Sequence, residues 1–253
     1  MPLNEEFQNH SFVKWNLSSI STGSIVFDSL LGGGLPISSI TDVYGAFATG
    51  KTQFSFQNAI MTCERFLSSS NEKIGDKKKP LVAFVDCAGS FRPERIAEIA
   101  SERGVNAGKA LDLISCAYVR TISEQMKVSE QLLNEERFSK CRLAVIDDIT
   151  TNFTAELNEA EEIIQRQFLL STYLRKLSYI ANRRGMSILL TNSIRSRAEQ
   201  GEGETTGELI SQFALFRLVF RREDRTRIAV VEQPIPSRGL KGVFEIQPKG
   251  LTP

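Results

Sequence analysis

Between residues 40 and 192, short apolar runs alternate with longer stretches whose apolar residues recur every three or four positions. The short runs predict buried β-strands, and the longer stretches predict amphipathic helices. Strands and helices that take turns indicate a largely parallel central sheet with helices on both faces. The predicted strands cover residues 40–44, 81–86, 113–118, 142–147 and 187–192. Two predicted helices begin at Lys51 and at Pro93, and two others cover residues 124–138 and 159–184.

The C-terminal part of the sequence has a different pattern. Apolar runs joined by short turns predict an antiparallel extension of the sheet, at residues 213–222, 227–233 and 242–247. A short helix is expected at residues 26–31, where apolar residues at helical spacing precede three glycines. Residues 1–18 are mostly polar and predict an N-terminal arm. Residues 19–253 are therefore expected to form a single core domain.

Composition narrows the class of protein. A chain of 253 residues, 41% apolar and 24% charged, can bury the core of one large α/β domain. It contains no apolar run of about 18 residues, as a membrane-spanning helix requires, so we expect an intracellular, cytoplasmic protein without a membrane partner. Its 31 basic and 30 acidic side chains nearly cancel, and net charge does not point to nucleic acid. Four dispersed cysteines and one histidine, His10, leave few ligands for zinc.

The sequence G-A-F-A-T-G-K-T joins the first of the alternating strands to the helix that begins at Lys51. In such a loop, backbone N–H groups surround phosphates at a helix N-terminus. Lys51 is expected to reach the β and γ phosphates, and Thr52 is expected to ligate Mg²⁺. The strand-to-helix context favours a site for ATP and Mg²⁺ over a chance glycine turn. The predicted nucleotide-binding residues here are Gly45, Ala46, Phe47, Ala48, Thr49, Gly50, Lys51, Thr52 and Gln53.

An acidic residue at the end of a neighbouring strand is the second expected part of such a site. The stretch R-L-A-V-I-D-D places Asp147 at a strand end, where its carboxylate can hold Mg²⁺ through water. Any parallel strand can end in aspartate. In combination with the phosphate loop, Asp147 is predicted to be a metal-site residue.

Several stretches together resemble the RecA-like recombinases, and among these the archaeal RadA branch with its shorter RadB and RadC type paralogues. The resemblance covers about residues 18–250. It implies a RecA-like P-loop ATPase core that binds ATP and single-stranded DNA and serves homologous recombination and DNA repair, in the cytoplasm or on an archaeal nucleoid. The matching stretches are I-S-T-G-S-x-x-x-D-S-L-L-G-G-G at 20–34, G-A-F-A-T-G-K-T-Q at 45–53, F-R-P-E-R-I at 91–96, A-V-I-D-D-I-T at 144–150 and L-L-T-N-S at 189–193.

The resemblance also implies roles for individual residues. Lys51 and Thr52 match the family's phosphate and Mg²⁺ residues, and Asp147 matches its strand-end carboxylate. Arg95, the last residue of F-R-P-E-R, matches the arginine that stacks on the adenine, a role suited to a planar guanidinium. Without the resemblance, a solvated helix arginine is the preferred interpretation of Arg95.

Two departures from the family pattern concern hydrolysis. Where the recombinases carry the glutamate that activates water, this chain has Ala88, and loss of a general base commonly lowers a rate by about 10²- to 10⁴-fold. Where the family has a glutamine that senses the γ-phosphate and signals to the DNA-binding loop, this chain has Ser193. We therefore expect at most a weak ATPase, with little coupling between ATP and DNA.

Asp148 offers one possible substitute for the missing base. It directly follows the strand-end carboxylate, where many other P-loop ATPases carry their catalytic carboxylate. One hypothesis is that Asp148 supports slow turnover. The alternatives are a surface carboxylate and an additional contact to the metal.

Both loops that carry the family's DNA contacts are altered. The first matches residues 151–162, where a basic segment is expected but four glutamates would repel phosphates. The second matches residues 194–206, where Arg195 and Arg197 are the best candidates for DNA contact. A basic cluster at residues 217–227 predicts a hairpin, for which a solvated turn is preferred over a DNA site.

Three functions remain open at this point. The first is a recombinase paralogue that binds ATP, hydrolyses it slowly, and assists repair through single-stranded DNA or a RadA-type recombinase. The second is an active DNA-dependent ATPase that exchanges strands, against which Ala88 and Ser193 argue. The third is a regulator similar to KaiC that binds nucleotide without DNA, an idea supported by the acidic residues 151–162.

Self-association is the last open question. The family's Phe-x-x-Ala motif does not occur in the arm, where Phe7 and Phe12 begin F-Q-N-H and F-V-K-W. Independent filament formation is therefore not expected, whereas capping a RadA filament stays open. Residues 231–239 loosely match the family segment that caps a neighbour's ATP, although Pro234 and Pro236 can also shape an ordinary turn.

Overall fold

The fold was obtained as a computed structural model that describes residues 18–69, 79–193, 202–223 and 226–253. Except for Ser18, the expected N-terminal arm lies outside these ranges. Within the described ranges, no helix combines the length and the apolar character needed to cross a membrane.

The described residues form a nine-stranded sheet and a separate ribbon of two strands. The ribbon pairs β1 (Ser19–Ile20) with β2 (Leu35–Pro36) in antiparallel fashion. The strands of the large sheet are β3 (Ile40–Gly45), β4 (Val82–Asp86), β5 (Ile114–Tyr118), β6 (Leu143–Asp147), β7 (Ser187–Ser193), β8 (Phe216–Glu223), β9 (Thr226–Gln233), β10 (Lys241–Gln247) and β11 (Gly250–Thr252).

Across the large sheet the strand order is β11-β10-β9-β8-β3-β7-β6-β4-β5. The six strands from β8 to β5 in this order run parallel. The pairs β8–β9, β9–β10 and β10–β11 are antiparallel. The predicted parallel sheet with an antiparallel C-terminal extension is confirmed. Strand β3 lies between β7 and β8 and runs parallel to both. The carboxyl ends of these three strands therefore lie side by side at the same edge of the sheet.

The helices cover both faces of the sheet. They are α1 (Ile25–Leu30), α2 (Lys51–Ser69), α3 (Pro93–Glu102), α4 (Ala107–Asp112), α5 (Ile122–Asn134), α6 (Thr151–Glu156), α7 (Ile163–Arg184) and α8 (Glu202–Ser211). Short 3₁₀ turns occur at Glu136–Phe138, Ala160–Glu162 and Ile235–Ser237.

Local sequence explains several helix ends. Pro93 opens α3, where its missing N–H would have had no helical partner. Thr121 caps α5, because its hydroxyl accepts the backbone N–H of Glu124 at 3.1 Å. Gly185 ends α7 in the left-handed conformation, with φ of +62°, which glycine adopts without strain.

Two apolar cores lie on opposite faces of the sheet, because neighbouring residues of a strand point in opposite directions. On β4, Val82 and Phe84 belong to the core that α1, α2 and α3 cover. Ala83 and Val85 belong to the other core, which α5, α6 and α7 cover. The sheet is therefore buried on both faces around its parallel strands.

An aromatic cluster joins the N-terminal and C-terminal parts of the first core. Phe27 of α1 lies 4.7 Å from Phe54 of α2, 5.5 Å from Phe220 of β8 and 5.1 Å from Phe244 of β10, measured between ring centres. Phe220 and Phe244 are 5.0 Å apart. Elements that are distant in sequence thus share one set of ring contacts beside the phosphate loop.

Two segments predicted as loops contain helices. Thr151–Glu156 forms α6 because Phe153 is buried in the second core and the amide of Asn152 donates to Gln125 of α5 at 3.0 Å. Glu202–Ser211 forms α8, so residues 202–206 are not a loop. The long helix expected from residue 159 begins at Ile163, after a 3₁₀ turn.

Candidate nucleotide-binding site

The phosphate loop connects the end of β3 to the beginning of α2. Its path needs glycine at two positions. Gly50 has φ of +107°, and a Cβ atom on Gly45 would overlap the carbonyl oxygen of Phe220 on β8. Thr49 closes the turn by donating its hydroxyl to the carbonyl oxygen of Ala46 at 2.9 Å. The result is a tight turn at a helix N-terminus, where backbone N–H groups favour anions.

Phe47 lies in the middle of this loop, and 94% of its surface is exposed. Ala46 and Ala48 on either side are exposed as well. None of these three side chains offers a charge or a hydrogen-bonding group. Phosphate contacts in this part of the loop must therefore come from the backbone.

Lys51, the first residue of α2, is buried against the loop. Its ammonium group donates to the carbonyl oxygens of Gly45 and Ala46, both at 2.9 Å. Burial lowers the pKa of Lys51, whereas the negative charges of Asp148 and Asp147 raise it. The ammonium group is thus held over the loop, in the electrostatic field of two carboxylates.

Asp147 at the end of β6 accepts hydrogen bonds from three hydroxyl groups. These come from Ser90 at 2.8 Å, from Thr191 of β7 and from Thr52 of α2. Burial raises the pKa of Asp147, the three hydrogen bonds lower it, and the neighbouring Asp148 raises it again. The structure therefore brings Thr52 and Asp147, the two predicted metal-site residues, into direct contact.

Asp148 is buried, so its interpretation as a surface carboxylate is wrong. Its Oδ1 atom accepts the backbone N–H of Thr150 at 3.0 Å and the hydroxyl of the same residue at 2.9 Å. This arrangement shapes the turn between β6 and α6. The same carboxylate lies close enough to Lys51 to raise its pKa. The turn is one role for Asp148 that does not involve catalysis.

The loop after β4 contains the position at which a catalytic base was expected. The Asp86 carboxylate fixes this loop, since it accepts the backbone N–H groups of Ala88 at 3.2 Å, Ser90 at 2.9 Å and Phe91 at 2.9 Å. Ala88 is exposed and ends in a methyl group. Residue 88 therefore provides neither a proton acceptor nor a group that orients water.

Arg95 of α3 is bound on several sides. Its Nε donates to Gln53 of α2 at 2.7 Å, and Nη1 donates to Glu98 at 2.5 Å. Two further bonds reach the turn between β10 and β11, at the carbonyl oxygens of Gln247 (2.6 Å) and Pro248 (2.9 Å). Only 18% of the Arg95 side chain is exposed, so it is not a solvated helix arginine. Its planar face remains the part that a base can stack on.

The side chains around the loop suit a nucleotide with Mg²⁺. The hydroxyl of Thr52 and the carboxylates of Asp147 and Asp148 are oxygen ligands, which Mg²⁺ prefers. Lys51 supplies a positive charge for phosphates, and Gly45 and Gly50 keep the backbone free of side chains. When bound, Mg²⁺ would neutralise phosphate charge at Thr52 and Asp147.

Comparison with known proteins decides the family. The Rad51 family model matches residues 14–252. This chain belongs to the Rad51 family. It is 31% identical over 249 residues to the meiotic recombination protein DMC1 of Saccharomyces cerevisiae, covering 95% of this chain and 72% of that protein. The DNA repair and recombination protein RadA of Cenarchaeum symbiosum is 28% identical over 241 residues, which are 93% of this chain and 59% of that protein.

A second archaeal relative has a similar sequence identity to this chain and covers a similar share of it. RadA of Methanococcus voltae is 29% identical over 244 residues, which cover 92% of this chain and 75% of that protein. The chain thus spans between 59% and 75% of the length of these three relatives. Membership in the Rad51 family confirms the expected relationship to the RecA and RadA recombinases and the RecA-like ATPase fold.

Two residues of this Rad51-family site were not predicted from the sequence. Ser90 and Thr191 both donate to Asp147. Strand register is the signal that locates Thr191, because Ile146 of β6 pairs with Leu190 of β7 and the next residues are then neighbours. Ser90 has no comparable signal, since its position depends on how Asp86 folds the loop after β4.

The predicted DNA contacts have different outcomes. Arg195 and Arg197 lie outside the described residues. The first DNA loop, residues 151–162, consists of α6 followed by a 3₁₀ turn, and its glutamates are described below. The hairpin predicted at residues 217–227 is confirmed, because β8 and β9 pair in antiparallel register.

Arg217, however, is not a residue of a solvated turn. Its Nε donates to Asp42 of β3 at 2.8 Å, and its Nη1 lies 3.8 Å from a carboxylate oxygen of Glu232 on β9. Its guanidinium carbon lies 4.3 Å from the ring centre of Tyr44. Burial raises the pKa of the completely buried Asp42 to about 6, although Arg217 lowers it. Arg217 therefore belongs to the protein interior beside the strand that leads into the phosphate loop.

Proposed function

We propose that this protein is an ATP-binding paralogue of the RadA recombinase, of the RadB or RadC type, that assists homologous recombination and DNA repair in the cytoplasm or on the nucleoid. It binds ATP and Mg²⁺ in one core domain, residues 19–253, and hydrolyses ATP slowly. It acts on single-stranded DNA, on a RadA-type recombinase, or on both. The names of its relatives, a meiotic recombination protein and a DNA repair and recombination protein, support this role.

The observation that carries the proposal is the combination of an intact phosphate site with an alanine at residue 88. The contacts of Lys51, Thr52 and Asp147 support a site for phosphate and Mg²⁺. At residue 88 the exposed methyl group supports binding without fast hydrolysis. A protein that holds ATP without hydrolysing it quickly suits an assisting role better than one that turns ATP over repeatedly.

Nucleotide binding is tested with a fluorescent ATP analogue and Mg²⁺, with phosphate release measured in the same samples. We expect saturable binding that Lys51→Ala weakens at least about tenfold, together with slow phosphate release. Lys73→Ala is the matched control, because residue 73 lies outside the phosphate loop in the sequence. Equal affinity of both variants would contradict the assigned site.

DNA binding is tested by the anisotropy of a labelled single-stranded oligonucleotide, with and without Mg-ATP, at two salt concentrations. We expect affinity that falls with salt, because phosphate contacts release counterions. Arg195→Ala combined with Arg197→Ala should lower that affinity. A small effect of Mg-ATP is expected, since Ser193 stands where the family has its γ-phosphate sensor. Absence of binding at low salt would exclude the DNA-binding part of the proposal.

A regulator that binds nucleotide and protein but not DNA is the second candidate. The observation in its favour is the acidic segment of residues 151–162, in place of the basic loop expected for DNA. The oligonucleotide titration separates the two candidates, because the regulator would show no salt-dependent binding.

A further inference from the structure

Two large apolar side chains are exposed near the beginning of α7. Ile164 is 81% exposed and Phe168 is 68% exposed. Residues four positions apart lie on the same face of a helix, so these two side chains form one apolar patch. Most of the other apolar residues of α7, among them Leu170, Leu174 and Leu177, are buried in the second core. The patch is therefore additional to the face that anchors the helix.

Acidic side chains lie directly before this patch. Glu159 and Glu161 are exposed in the turn that leads into α7. Within the described part of the chain, neither forms a salt bridge. Glu156, at the end of α6, is also exposed. Negative charge without a cationic partner thus borders the exposed apolar pair.

The backbone under these side chains is fixed by specific contacts. Arg166 of α7 is buried and donates to the carbonyl oxygen of Leu157 at 2.9 Å. Glu156 accepts the backbone N–H of Ile122, the first residue of α5, at 2.6 Å. Glu159 and Glu162 form a reciprocal capping box around the 3₁₀ turn. The segment therefore presents its side chains from a defined position, which reduces the ordering required on binding.

We propose that Glu159, Glu161, Ile164 and Phe168, here called the α7 entry surface, bind a basic amphipathic helix of a partner protein. The apolar pair would receive the apolar face of that helix, as in other helix-in-groove interactions, and the glutamates would attract its lysines or arginines. A nucleic acid does not fit, because its phosphates would face the negatively charged carboxylates of Glu159 and Glu161. This inference goes beyond the proposed function and does not depend on nucleotide binding.

The test uses a labelled peptide of leucine and lysine at helical spacing, about 16 residues and so about 24 Å long as a helix. The fluorescence anisotropy of the peptide is measured while the full chain is added in increasing concentration. We expect saturable binding that weakens with salt. The double change Ile164→Ala and Phe168→Ala should lower the affinity at least about tenfold, since central apolar anchors dominate such contacts. Glu161→Lys should lower it several-fold and remove most of the salt dependence.

Matched control variants distinguish binding at this surface from nonspecific binding elsewhere on the protein. Tyr179→Ala removes another exposed aromatic of α7, 11 residues further along and so about 16 Å away. Glu102→Lys reverses an exposed charge on α3. Both should bind the peptide as the unchanged protein does. All variants alter exposed side chains, so thermal unfolding should stay within a few degrees of the unchanged protein.

Several results would overturn the inference. One is absence of peptide binding up to about 1 mM, and another is equal loss in the control variants. Equal affinity for a leucine and glutamate peptide would also contradict it, because the glutamates would then have no role. A changed sedimentation coefficient of the double variant would assign the surface to a second copy of this chain. Weaker oligonucleotide binding by the double variant would assign it to DNA.

Discussion

Ala88 has an exposed methyl group in a loop that neighbouring residues hold in place. The loop around it is already folded by Asp86, whose carboxylate accepts three backbone N–H groups. Because residue 88 is exposed, a longer side chain fits there without disturbing the core. We therefore expect the chemistry of this one residue, and not a distorted loop, to limit hydrolysis.

A proton acceptor at residue 88 should therefore increase hydrolysis. Ala88→Glu should raise the rate of ATP hydrolysis by about 10²-fold, since a positioned general base commonly contributes about 10² to 10⁴. Phosphate release at saturating Mg-ATP measures the effect. Ala88→Gln is the control, because it has a similar shape and accepts no proton at neutral pH. A similar rate for both variants would show that Ala88 does not limit hydrolysis.

Asp148 has a matching test. Asp148→Asn keeps the Oδ1 atom that accepts the two hydrogen bonds of Thr150, and removes the negative charge. If Asp148 acts as the base, the slow turnover should fall by about 10²-fold or more. Unchanged turnover would leave Asp148 with its role in the turn before α6.

Asp42 predicts how stability depends on pH. Its pKa is raised from 3.8 to about 6 by burial, so the native protein holds this proton more tightly than the unfolded chain. The resulting stabilisation is complete below pH 3.8 and is lost as pH rises through about 6. Relative to Asp42→Asn, the unfolding free energy should fall by about 3 kcal/mol across this range. Urea unfolding at several pH values measures it, and parallel curves would contradict it.

The helices and strands around the site are held together by contacts that sequence patterns do not reveal. Arg95 connects α3 to α2 and to the β10–β11 turn through three hydrogen bonds, and a fourth joins it to Glu98 within α3. Among the described residues, Arg92 on the same segment donates to the nearby carbonyl oxygens of Gly89 and Phe91. The two arginines of F-R-P-E-R thus have different structural roles.

Arg95→Ala should therefore loosen the C-terminal hairpin, which is formed by β10 and β11. We expect a loss of about 1–3 kcal/mol of unfolding free energy, because the backbone acceptors on β10–β11 lose a charged donor. Hydrogen exchange of β10 and β11 should become faster, and affinity for ATP should fall. Arg92→Ala is the matched control and should change none of the three. Unchanged exchange in the Arg95 variant would refute the connection.

Much of the element pattern follows from the sequence, because buried parallel strands and amphipathic helices have strong periodicities. The phosphate loop and Asp147 were found for the same reason, since both lie at strand ends. The helix α6 was missed because its six residues are stabilised by burial of Phe153 and by the Asn152–Gln125 contact, which are tertiary. The interior position of Arg217 was missed because its partner Asp42 is 175 residues away.

The molecule as a whole depends on a core shared by its N-terminal and C-terminal parts. Phe27→Ala removes a completely buried ring that contacts three others, and should lower the unfolding free energy by about 3–5 kcal/mol. Phe47→Ala removes an exposed ring and should stay within about 0.5 kcal/mol of the unchanged protein. Chemical denaturation measures both. A small loss for Phe27→Ala would show that α1 folds independently of the sheet.

The contacts of α2 and α3 with the C-terminal hairpin also bear on how the protein matures during synthesis. Arg103, Arg95 and Gln57 bind backbone groups that lie 146, 152 and 194 residues downstream. At ordinary translation speed, those partners leave the ribosome about 7 to 40 s later. A nascent chain therefore carries the complete G-A-F-A-T-G-K-T motif long before Phe244, Ile246 and Leu251, whose side chains lie beside Gly50, have been synthesised. We expect such chains to retain no ATP. The phosphate loop is synthesised early, but its pocket is completed only after the C-terminal strands have been synthesised.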